Sequence, residues 1–300
     1  MTETINAAAA GTWTLGDLPV NRLGYGAMRL MTKADGSPSD RDTAIAVLRR
    51  AVELGVNHID TAAFYFQASR SANELINSAL RPYPEDLVIV TKVGPGRGPS
   101  GDWLPPARPE QLRGQVEENL RQLGRDHLDV VNLRIGEGLE RGSGSLSDRF
   151  GALAELREAG LIAHLGISNV TAEHLKEAQA IAPVVCVQNQ YGLTARREDD
   201  ELVGLCADQG VAFVPFFAIA SGTENAGVTA VAREHGVSPA QVRLAWTLHR
   251  GPNVLAIPGT GNPAHLAENV AAAALRLSEE DIERLGDGPA TNGHVPADSI

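Results

Sequence analysis

Short apolar runs and segments of helical spacing alternate along most of the chain. The run LVIVTK is almost continuously apolar, which is typical of a parallel strand covered on both faces. Residues 41–54 place Ile45, Leu48 and Val52 on one helical face, and Gly55 follows as a helix stop. This order of strand and then helix recurs along the chain, so it predicts parallel strands joined by right-handed crossovers.

Eight strand–helix units fit into 300 residues, and no strand is followed by a GxGxxG turn, which favours a closed barrel over an open nucleotide-binding sheet. We therefore predict the α/β class, as a (β/α)8 TIM barrel with an N-terminal β-hairpin (TWTL, GD, LPVNRLG) and an extra C-terminal helix after Ser278. Residues 1–300 are expected to form one domain with mobile termini at about 1–10, including Ala7 to Ala10, and 287–300. The predicted core helices cover 41–54, 72–80, 109–123, 146–159, 171–181, 199–207, 228–235, 239–249 and 263–273.

The bulk composition excludes several classes of partner. The net charge of −11 and a pI near 5.2 argue against nucleic acid or an anionic membrane as a main partner. The start of the chain has neither a basic segment nor a long apolar stretch, so we expect no signal peptide, no transmembrane helix and a cytoplasmic location. Cys186 and Cys206 lie in apolar runs and are expected to be buried thiols.

Polar residues follow most of the predicted strands, at the ends where chemistry sits in a barrel of this kind. Each of them alone has an ordinary explanation, since an Asp after a strand is often a turn former and a Lys there is often a surface charge. Their occurrence together, in barrel order, indicates a site. The residues at successive strand ends are Asp60, Lys92, Asn132 with Arg134, Ser168 with Asn169, Gln188 with Asn189, Phe216 with Phe217, and Thr260.

Asp60, Lys92 and the nearby Tyr65 suit the reduction of a carbonyl group, which needs hydride at carbon and a proton at oxygen. A tyrosine is a weak acid at neutral pH, because the reference pKa of its side chain is about 10. A nearby ammonium stabilises the phenolate, so Lys92 is expected to assist Tyr65 while Asp60 holds and balances Lys92. Acid assistance of this kind contributes typically ~10²–10⁴-fold, and a bound nicotinamide supplies the hydride.

These residues lie in segments that resemble the aldo-keto reductase superfamily, from about Gly24 to about Leu285. The matching segments are GYGAMRL, GVNHIDTAAFYF with ANELI, VIVTK, LREAGLIAHLGISNV, VVCVQNQY and IPGTGNPAHLAENV. The resemblance implies a TIM barrel that reduces a small aldehyde or ketone to an alcohol, reversibly, with a nicotinamide cofactor. Asp60, Tyr65 and Lys92 match catalytic positions of the family.

The resemblance also implies a cofactor site. By position, Ser168, Asn169 and Gln188 match side chains that hydrogen-bond the nicotinamide carboxamide, and Phe216 matches the aromatic ring that stacks on the nicotinamide. The segment that holds the adenosine end of the cofactor is matched by Thr260, Gly261, His265, Glu268 and Asn269.

The choice between NADPH and NADH is less direct, because a 2′-phosphate normally calls for Arg or Lys. Many family members carry such residues where this chain has Gly259 and His265. A bacterial subgroup of pyridoxal reductases resembles this chain in VVNLR, VCVQN and VPFF and shows a similar lack of basic residues, and that resemblance implies NADPH. NADPH is therefore the predicted cofactor, with NADH as the alternative.

One family feature differs in this chain, because a histidine usually ends the fourth strand and VVNLRIG places Arg134 there. An arginine stays charged and offers several donors, so Arg134 is predicted to polarise the carbonyl oxygen or to bind an anionic or phenolic group of the substrate. A salt bridge at the rim is the alternative role. Pyridoxal carries an aldehyde beside a phenolic oxygen, so its reduction to pyridoxine is the most specific prediction, with a natural-product ketone or a sugar carbonyl as alternatives.

Two other classes of function stay open. The same fold can serve as a nicotinamide-binding regulatory protein with little turnover, and the retained Tyr65 and Lys92 argue against it. A metal-dependent barrel hydrolase needs several His or carboxylate ligands at strand ends, and the sequence has no HxH pair, so we predict no metal site. The Gly/Pro-rich segment 94–106 is expected to form a loop over the pocket, where Trp103 and Phe64 are candidate substrate contacts; simple loop packing is the alternative for Trp103.

Overall fold

The structure, a computed structural model, describes residues 5–32, 37–67, 70–98, 100–195, 197–219 and 225–286. Its strands are short, and most of them lie in the segments that the apolar runs predicted. The strands are β1 (Thr12–Leu15), β2 (Leu18–Asn21), β3 (Tyr25–Gly26), β4 (His58–Asp60), β5 (Phe66–Gln67), β6 (Arg70–Ser71), β7 (Val88–Val93), β8 (Leu128–Arg134), β9 (Ile162–Ser168), β10 (Val184–Gln188) and β11 (Ala212–Phe213).

Seven of these strands form one parallel sheet, in the order β3, β4, β7, β8, β9, β10 and β11. The two edges of the sheet are joined by the segment 254–256. Val254 pairs with Phe213 of β11, and Ala256 pairs with Leu23 just before β3, both in the parallel sense. An eighth strand position therefore closes the barrel, and the predicted α/β TIM-barrel class is confirmed.

Helices follow the barrel strands and pack on the outside of the sheet. Asp40 caps the first helix by accepting a hydrogen bond from the backbone of Thr43 at 2.8 Å. Gly124 and Gly236 end two helices in the left-handed conformation, with φ of 63° and 65°. Among the described residues, no helix is both long and apolar enough to cross a membrane. The helices are α1 (Arg41–Glu53), α2 (Ala72–Leu80), α3 (Pro109–Leu123), α4 (Ser147–Glu158), α5 (Ala172–Gln179), α6 (Asp200–Asp208), α7 (Ala226–His235), α8 (Pro239–His249), α9 (Pro263–Ala271) and α10 (Glu279–Gly286).

The interior of the barrel is filled by an apolar cluster of its own. Val88 and Val90 of β7 belong to this cluster, whereas Ile89 between them packs in the outer cluster with the helices. Side chains of a strand alternate between its two faces, so every second residue of a barrel strand points inward. The inward row of Val88 and Val90 continues at Lys92, which is how an apolar strand brings a lysine to the end of the barrel.

The hairpin of β1 and β2 closes the end of the barrel where the strands begin. Leu15 and Val20 of the hairpin are buried and belong to the interior cluster. The carboxylate of Asp17, at the hairpin turn, is 2.6 Å from Nε2 of His164 on β9, and this hydrogen bond lowers the pKa of Asp17. Because side chains fill this end, a ligand must enter from the end where the strands finish.

The N-terminal segment differs from what we expected. Ala7–Ala10, expected to belong to a mobile terminus, form a 3-10 helix with both ends buried, so this part of the expectation is wrong. Asn6 caps the helix, and the backbone of Ala7 donates to the carbonyl of Leu54 at 2.8 Å. Alanine side chains are small enough to let the short helix pack closely against a second short run of alanines, Ala272–Ala274. The expected mobile tail at 287–300 lies outside the described residues.

We predict that Gly166→Ala destabilises the barrel. A Cβ added at Gly166 would lie 2.0 Å from Oδ1 of Asn132 and 2.5 Å from Sγ of Cys186, inside the closed sheet. Overpacking of this kind costs about 1–3 kcal/mol, which urea denaturation would measure as a fall in the free energy of unfolding. Gly204→Ala in α6 is the matched control, because a Cβ there meets nothing within 4 Å and helix propensity favours alanine by about 1 kcal/mol. Equal changes in the two variants would contradict the packing described here.

Candidate active site

A cleft of about 930 Å³ opens at the end of the barrel where the parallel strands finish. Asp60 is the last residue of β4, Arg134 is the last of β8, and Lys92 is the penultimate residue of β7. Tyr65 follows β4 in a loop and lines the same cleft. The four side chains predicted to be catalytic are therefore brought together, although they come from separate parts of the sheet.

Lys92 and Asp60 form a buried ion pair within this cleft. Nζ of Lys92 donates to Oδ1 of Asp60 at 2.6 Å and to the backbone oxygen of Thr61 at 3.1 Å. The two side chains are only 2% and 5% exposed. The second carboxylate oxygen of Asp60 accepts from Nε2 of Gln188 at 2.8 Å. Both oxygens of Asp60 are thus in use, and Lys92 is fixed by two acceptors.

Tyr65 lies directly beside this ion pair. Nζ of Lys92 is 4.9 Å from the centroid of the Tyr65 ring, and Phe64 packs edge-on against that ring at 5.2 Å. Burial lowers the pKa of Lys92, but attraction to Asp60 and to the Tyr65 oxygen, together with the hydrogen bond to Asp60, outweighs burial and holds the pKa of Lys92 above its ordinary value. Lys92 therefore stays an ammonium at neutral pH and places a positive charge next to the Tyr65 hydroxyl.

Arg134 adds a second positive charge to the cleft. Its guanidinium lies over the ring of Phe216, 5.4 Å from the centroid, and donates a hydrogen bond to the backbone oxygen of Gly138. Burial lowers the pKa of Arg134, and attraction to Tyr65 and Asp60 opposes that shift. In the described part of the chain no carboxylate forms an ion pair with Arg134, so the salt bridge considered from the sequence finds no partner there.

Ser168 and Gln188 are fully buried at the ends of β9 and β10. Ser168 is a register partner of both Gln188 and Arg134, and Gln188 contacts Asp60, so the pair lies next to residues that line the cleft without lining it themselves. Oγ of Ser168 and Oε1 of Gln188 have no hydrogen-bond partner among the described residues. A buried polar atom without a partner costs about 1–3 kcal/mol, so two of them together indicate a polar ligand group. The carboxamide of a nicotinamide offers both donors and an acceptor and fits these residues.

The side chain of Asn169, the third residue predicted for the carboxamide, points to the loop that follows β8. Its φ is 60°, and its Nδ2 lies 3.4 Å from the backbone oxygen of Gly138 and 3.3 Å from that of Glu140. Its own carbonyl accepts from the backbone of Gly142 at 2.9 Å. Asn169 thus fastens the loop after β8, which brings Leu139 to the cleft. Its contact with a cofactor stays a prediction.

Two neighbouring aromatic residues, Phe216 and Phe217, form part of the cleft wall. The backbone of Phe216 donates to the carbonyl of Asn189 at 3.0 Å, which fixes the segment beside the end of β10. Phe217 has a φ of 58°, a conformation that is uncommon for a bulky residue. An aromatic surface of this size suits the flat face of a nicotinamide ring, as predicted for Phe216.

The segment predicted for the adenosine end of the cofactor starts at the cleft and leads away from it. Pro258 and Gly259 line the cleft, and the next residue's backbone oxygen accepts from the hydroxyl of Tyr25 at 2.6 Å. The chain then enters α9, where His265 and Glu268 are exposed. The residues predicted for this end do not line the cleft themselves; they are Thr260, Gly261, His265, Glu268 and Asn269.

Sequence reasoning missed one cation of the cleft. Arg29 lies in a short 3-10 helix after β3, is half-buried and lines the cleft together with Gly259. Its backbone oxygen would be 3.4 Å from a Cβ added at Gly261, so Arg29 borders the segment predicted for the adenosine end. The signal was present in GYGAMRL, but an arginine after a strand has many uses. Within the described ranges, no group of three or more His, Cys, Asp or Glu side chains is placed to hold a metal.

Phe64 and Trp103 both line the cleft, as predicted. Their ring centroids are 5.7 Å apart at an interplanar angle of 61°. Trp103 also packs within its own loop against Arg97, and its contact with a substrate stays a prediction. The aromatic rings of Tyr65, Phe64 and Trp103 follow one another from the ion pair to the mouth of the cleft.

Comparisons with known proteins agree with this fold. The sequence profile of the Aldo/keto reductase family matches residues 22–287. Pyridoxine 4-dehydrogenase of Escherichia coli is 48% identical over 92% of this chain and 98% of its own. A thermostable aldo-keto reductase, solved with the inhibitor epalrestat, is 30% identical with a TM-score of 0.77 and covers 92% of this chain and 98% of its own. An aldo/keto reductase of Klebsiella pneumoniae, solved with NADP and acetate, is 27% identical with a TM-score of 0.74 and covers 91% and 93%.

We expect Asp60→Leu to lower the free energy of unfolding by about 3–5 kcal/mol, because it leaves the Lys92 ammonium buried without its partner. The double variant Asp60→Leu/Lys92→Met removes both charges and should recover much of that loss. Urea denaturation followed by circular dichroism measures both. A double variant no more stable than Asp60→Leu alone would show that the ion pair is not what holds these two side chains.

Proposed function

Because this chain belongs to the aldo/keto reductase family, we propose that it reduces the aldehyde of pyridoxal to the alcohol of pyridoxine, with NADPH as the cofactor. Family membership makes the chain an oxidoreductase, and its similarity to pyridoxine 4-dehydrogenase supports the choice of substrate. One observation carries the proposal. The ammonium of Lys92, the hydroxyl of Tyr65 and the guanidinium of Arg134 surround a single cleft lined with aromatic rings.

The side chains divide the work of carbonyl reduction between them. NADPH, when bound, supplies the hydride to the carbonyl carbon. Tyr65 gives its hydroxyl proton to the carbonyl oxygen, and Lys92 stabilises the phenolate that remains. Asp60 keeps Lys92 in position through the 2.6 Å hydrogen bond. Arg134, with several donors in one plane, binds the phenolic oxygen beside the aldehyde and polarises the carbonyl.

Several features support a nicotinamide dinucleotide in this cleft. Oγ of Ser168 and Oε1 of Gln188 have no hydrogen-bond partner within the described ranges, and a carboxamide would provide one to each. Phe216 offers a face for the nicotinamide ring. Arg29 brings a positive charge to the cleft beside Gly259. It could replace the basic side chain that, by the resemblance, many family members carry at the position of Gly259. We prefer NADPH because structural neighbours were solved with NADP or NADPH. NADH is the alternative cofactor.

The proposal is tested by mixing the purified protein with NADPH and pyridoxal and following the loss of nicotinamide absorbance. NADH, simple aldehydes, sugars and a natural-product ketone are run in parallel. Rapid turnover of pyridoxal and slow turnover of the others are expected. Turnover of only the other carbonyl compounds would discard pyridoxal. Tight NADPH binding with no turnover of any of these compounds would overturn the proposed activity and favour a nicotinamide-binding regulatory protein.

Tyr65→Phe should lower kcat for pyridoxal by about 10²–10⁴-fold, because it removes the proton donor and nothing else. NADPH affinity, measured by fluorescence titration, should be unchanged. Tyr83→Phe is the matched control, since the Tyr83 hydroxyl donates to the carbonyl of Leu123 and does not line the cleft. Full activity of Tyr65→Phe at neutral pH would mean that another group is the acid.

Arg134→Met should lower kcat/KM for pyridoxal by about 10–100-fold, the equivalent of losing a hydrogen bond to a charged group. The fall should be smaller for benzaldehyde, which lacks the phenolic oxygen. Arg134→Lys should restore little, because a single ammonium does not reproduce two parallel donors. Equal losses for the two aldehydes would show that Arg134 does not recognise the phenolic oxygen.

A further inference from the structure

Trp103 lies at the mouth of the cleft, where burial holds its side chain only in part. Its side chain lines the cleft and is 51% exposed, whereas Trp246 in the core is 2% exposed. An indole that stays half in water gains only about half of the burial free energy of a core indole, so burial holds it less firmly. Contacts at the rim of the cleft therefore help to fix the direction in which this ring points.

Arg97 makes contacts that fix it. Its guanidinium lies 5.6 Å from the centroid of the Trp103 ring and 4.9 Å from the centroid of the Phe66 ring. Nη1 donates to the backbone oxygen of Phe66 at 3.0 Å, and Nε donates to that of Gly101 at 2.7 Å. One planar cation thus contacts two aromatic rings and two backbone segments, which an arginine does better than a lysine.

The backbone of the loop is shaped around this arginine. Arg97 and Trp103 face each other across an antiparallel bridge, and the backbone of Gly98 donates to the carbonyl of Asp102 at 2.8 Å. Gly101 has a φ of 92°, and a Cβ there would lie 2.9 Å from Nη2 of Arg97. The turn therefore favours glycine both for its conformation and for the space that the guanidinium occupies.

Trp103 is connected to the reacting end of the cleft by a row of rings. The Trp103 ring packs edge-on against Phe64, and Phe64 packs edge-on against Tyr65. Arg97 itself does not line this cleft but a second cavity on the other side of Phe64. Arg97 thus influences a ligand of the cleft through Trp103 and not by contact.

We infer that Arg97 is a positioning residue that holds Trp103 as a fixed wall for the planar ring of an aromatic aldehyde. The inference rests on the proposed reduction of pyridoxal, and it identifies Trp103 as the side chain that favours the aromatic ring of this substrate. A fixed indole loses no side-chain entropy when the substrate arrives, so its contact with the ring adds fully to affinity. A small aliphatic aldehyde reaches Tyr65 without contacting Trp103 and gains nothing from the wall.

The test is Arg97→Met, which keeps the length of the side chain but removes its charge and donors. KM for pyridoxal should rise about 2–10-fold, the loss of one aromatic contact, while kcat for pyridoxal and both constants for propanal stay the same. Trp103→Leu should raise KM for pyridoxal in the same way, and the double variant should add little to either single one. Arg113→Met is the control, because Arg113 is exposed on α3, where it pairs with the equally exposed Glu117 at 3.6 Å.

A spectroscopic measurement separates positioning from general damage. Trp103 is the most exposed of the three tryptophans, so it dominates the quenching of emission by acrylamide, and subtraction of Trp103→Phe isolates its signal. Quenching of Trp103 should increase in Arg97→Met and stay unchanged in Arg113→Met. Unchanged quenching together with an unchanged KM for pyridoxal, or an equal rise in KM for pyridoxal and propanal, would overturn the inference.

Binding without reaction keeps this inference distinct from the proposed function. The ring of pyridoxal is retained in 4-deoxypyridoxine, which has no carbonyl group, and its binding to the protein with NADP+ is measured by equilibrium dialysis. Weaker binding to Arg97→Met than to Arg113→Met supports the role of Arg97 even if pyridoxal is not turned over. Equal binding to both would overturn that role, whatever the turnover assay shows.

Discussion

The buried ion pair between Lys92 and Asp60 is the constraint around which the cleft is organised. Two charges taken out of water are costly, and their attraction compensates only when the remaining donors and acceptors are also satisfied. Here Gln188 donates a hydrogen bond to the second oxygen of Asp60, and the backbone oxygen of Thr61 accepts a second hydrogen bond from Lys92. The pair therefore needs β4, β7 and β10 in their places, so it exists only in the closed barrel.

The same arrangement explains how an acidic protein forms a positive cleft. The chain has a net charge of −11, yet three of its cations line the cleft, namely Arg29, Lys92 and Arg134. Asp60 is the carboxylate among the lining residues, and it is already bound to Lys92. The net charge thus limits the partners of the whole surface but not the sign of the charge in the cleft. Anionic groups of a cofactor or a phenolic oxygen are favoured there.

Loops give the cleft its individual shape, while the strands hold the reacting groups. Asn169 fastens the loop that carries Leu139, and Arg97 fastens the loop that carries Trp103. Arg134 connects the strands with the loops, since it is the last residue of β8 and its guanidinium lies over the ring of Phe216, which belongs to a loop. A barrel of this kind changes its substrate by changing such loops while its strand ends stay the same.

The sequence by itself determined the alternation of strands and helices, and with it the barrel. The spacing of apolar residues in a strand or in a helix is a local property of the sequence, so it can be recognised without knowing the distant contacts. It also predicted that Asp60, Tyr65 and Lys92 share one end of the barrel, because the order of strands fixes which ends face the same way. It did not predict the 3-10 helix of Ala7–Ala10 or the contribution of Arg29, since neither follows from periodicity. Tertiary structure alone decided that Asn169 turns to a loop, that Gln188 binds Asp60, and that Arg97 holds Trp103. Those contacts depend on distances of a few ångströms, either between distant segments of the chain or across one irregular loop, and no periodic pattern of residues encodes such distances.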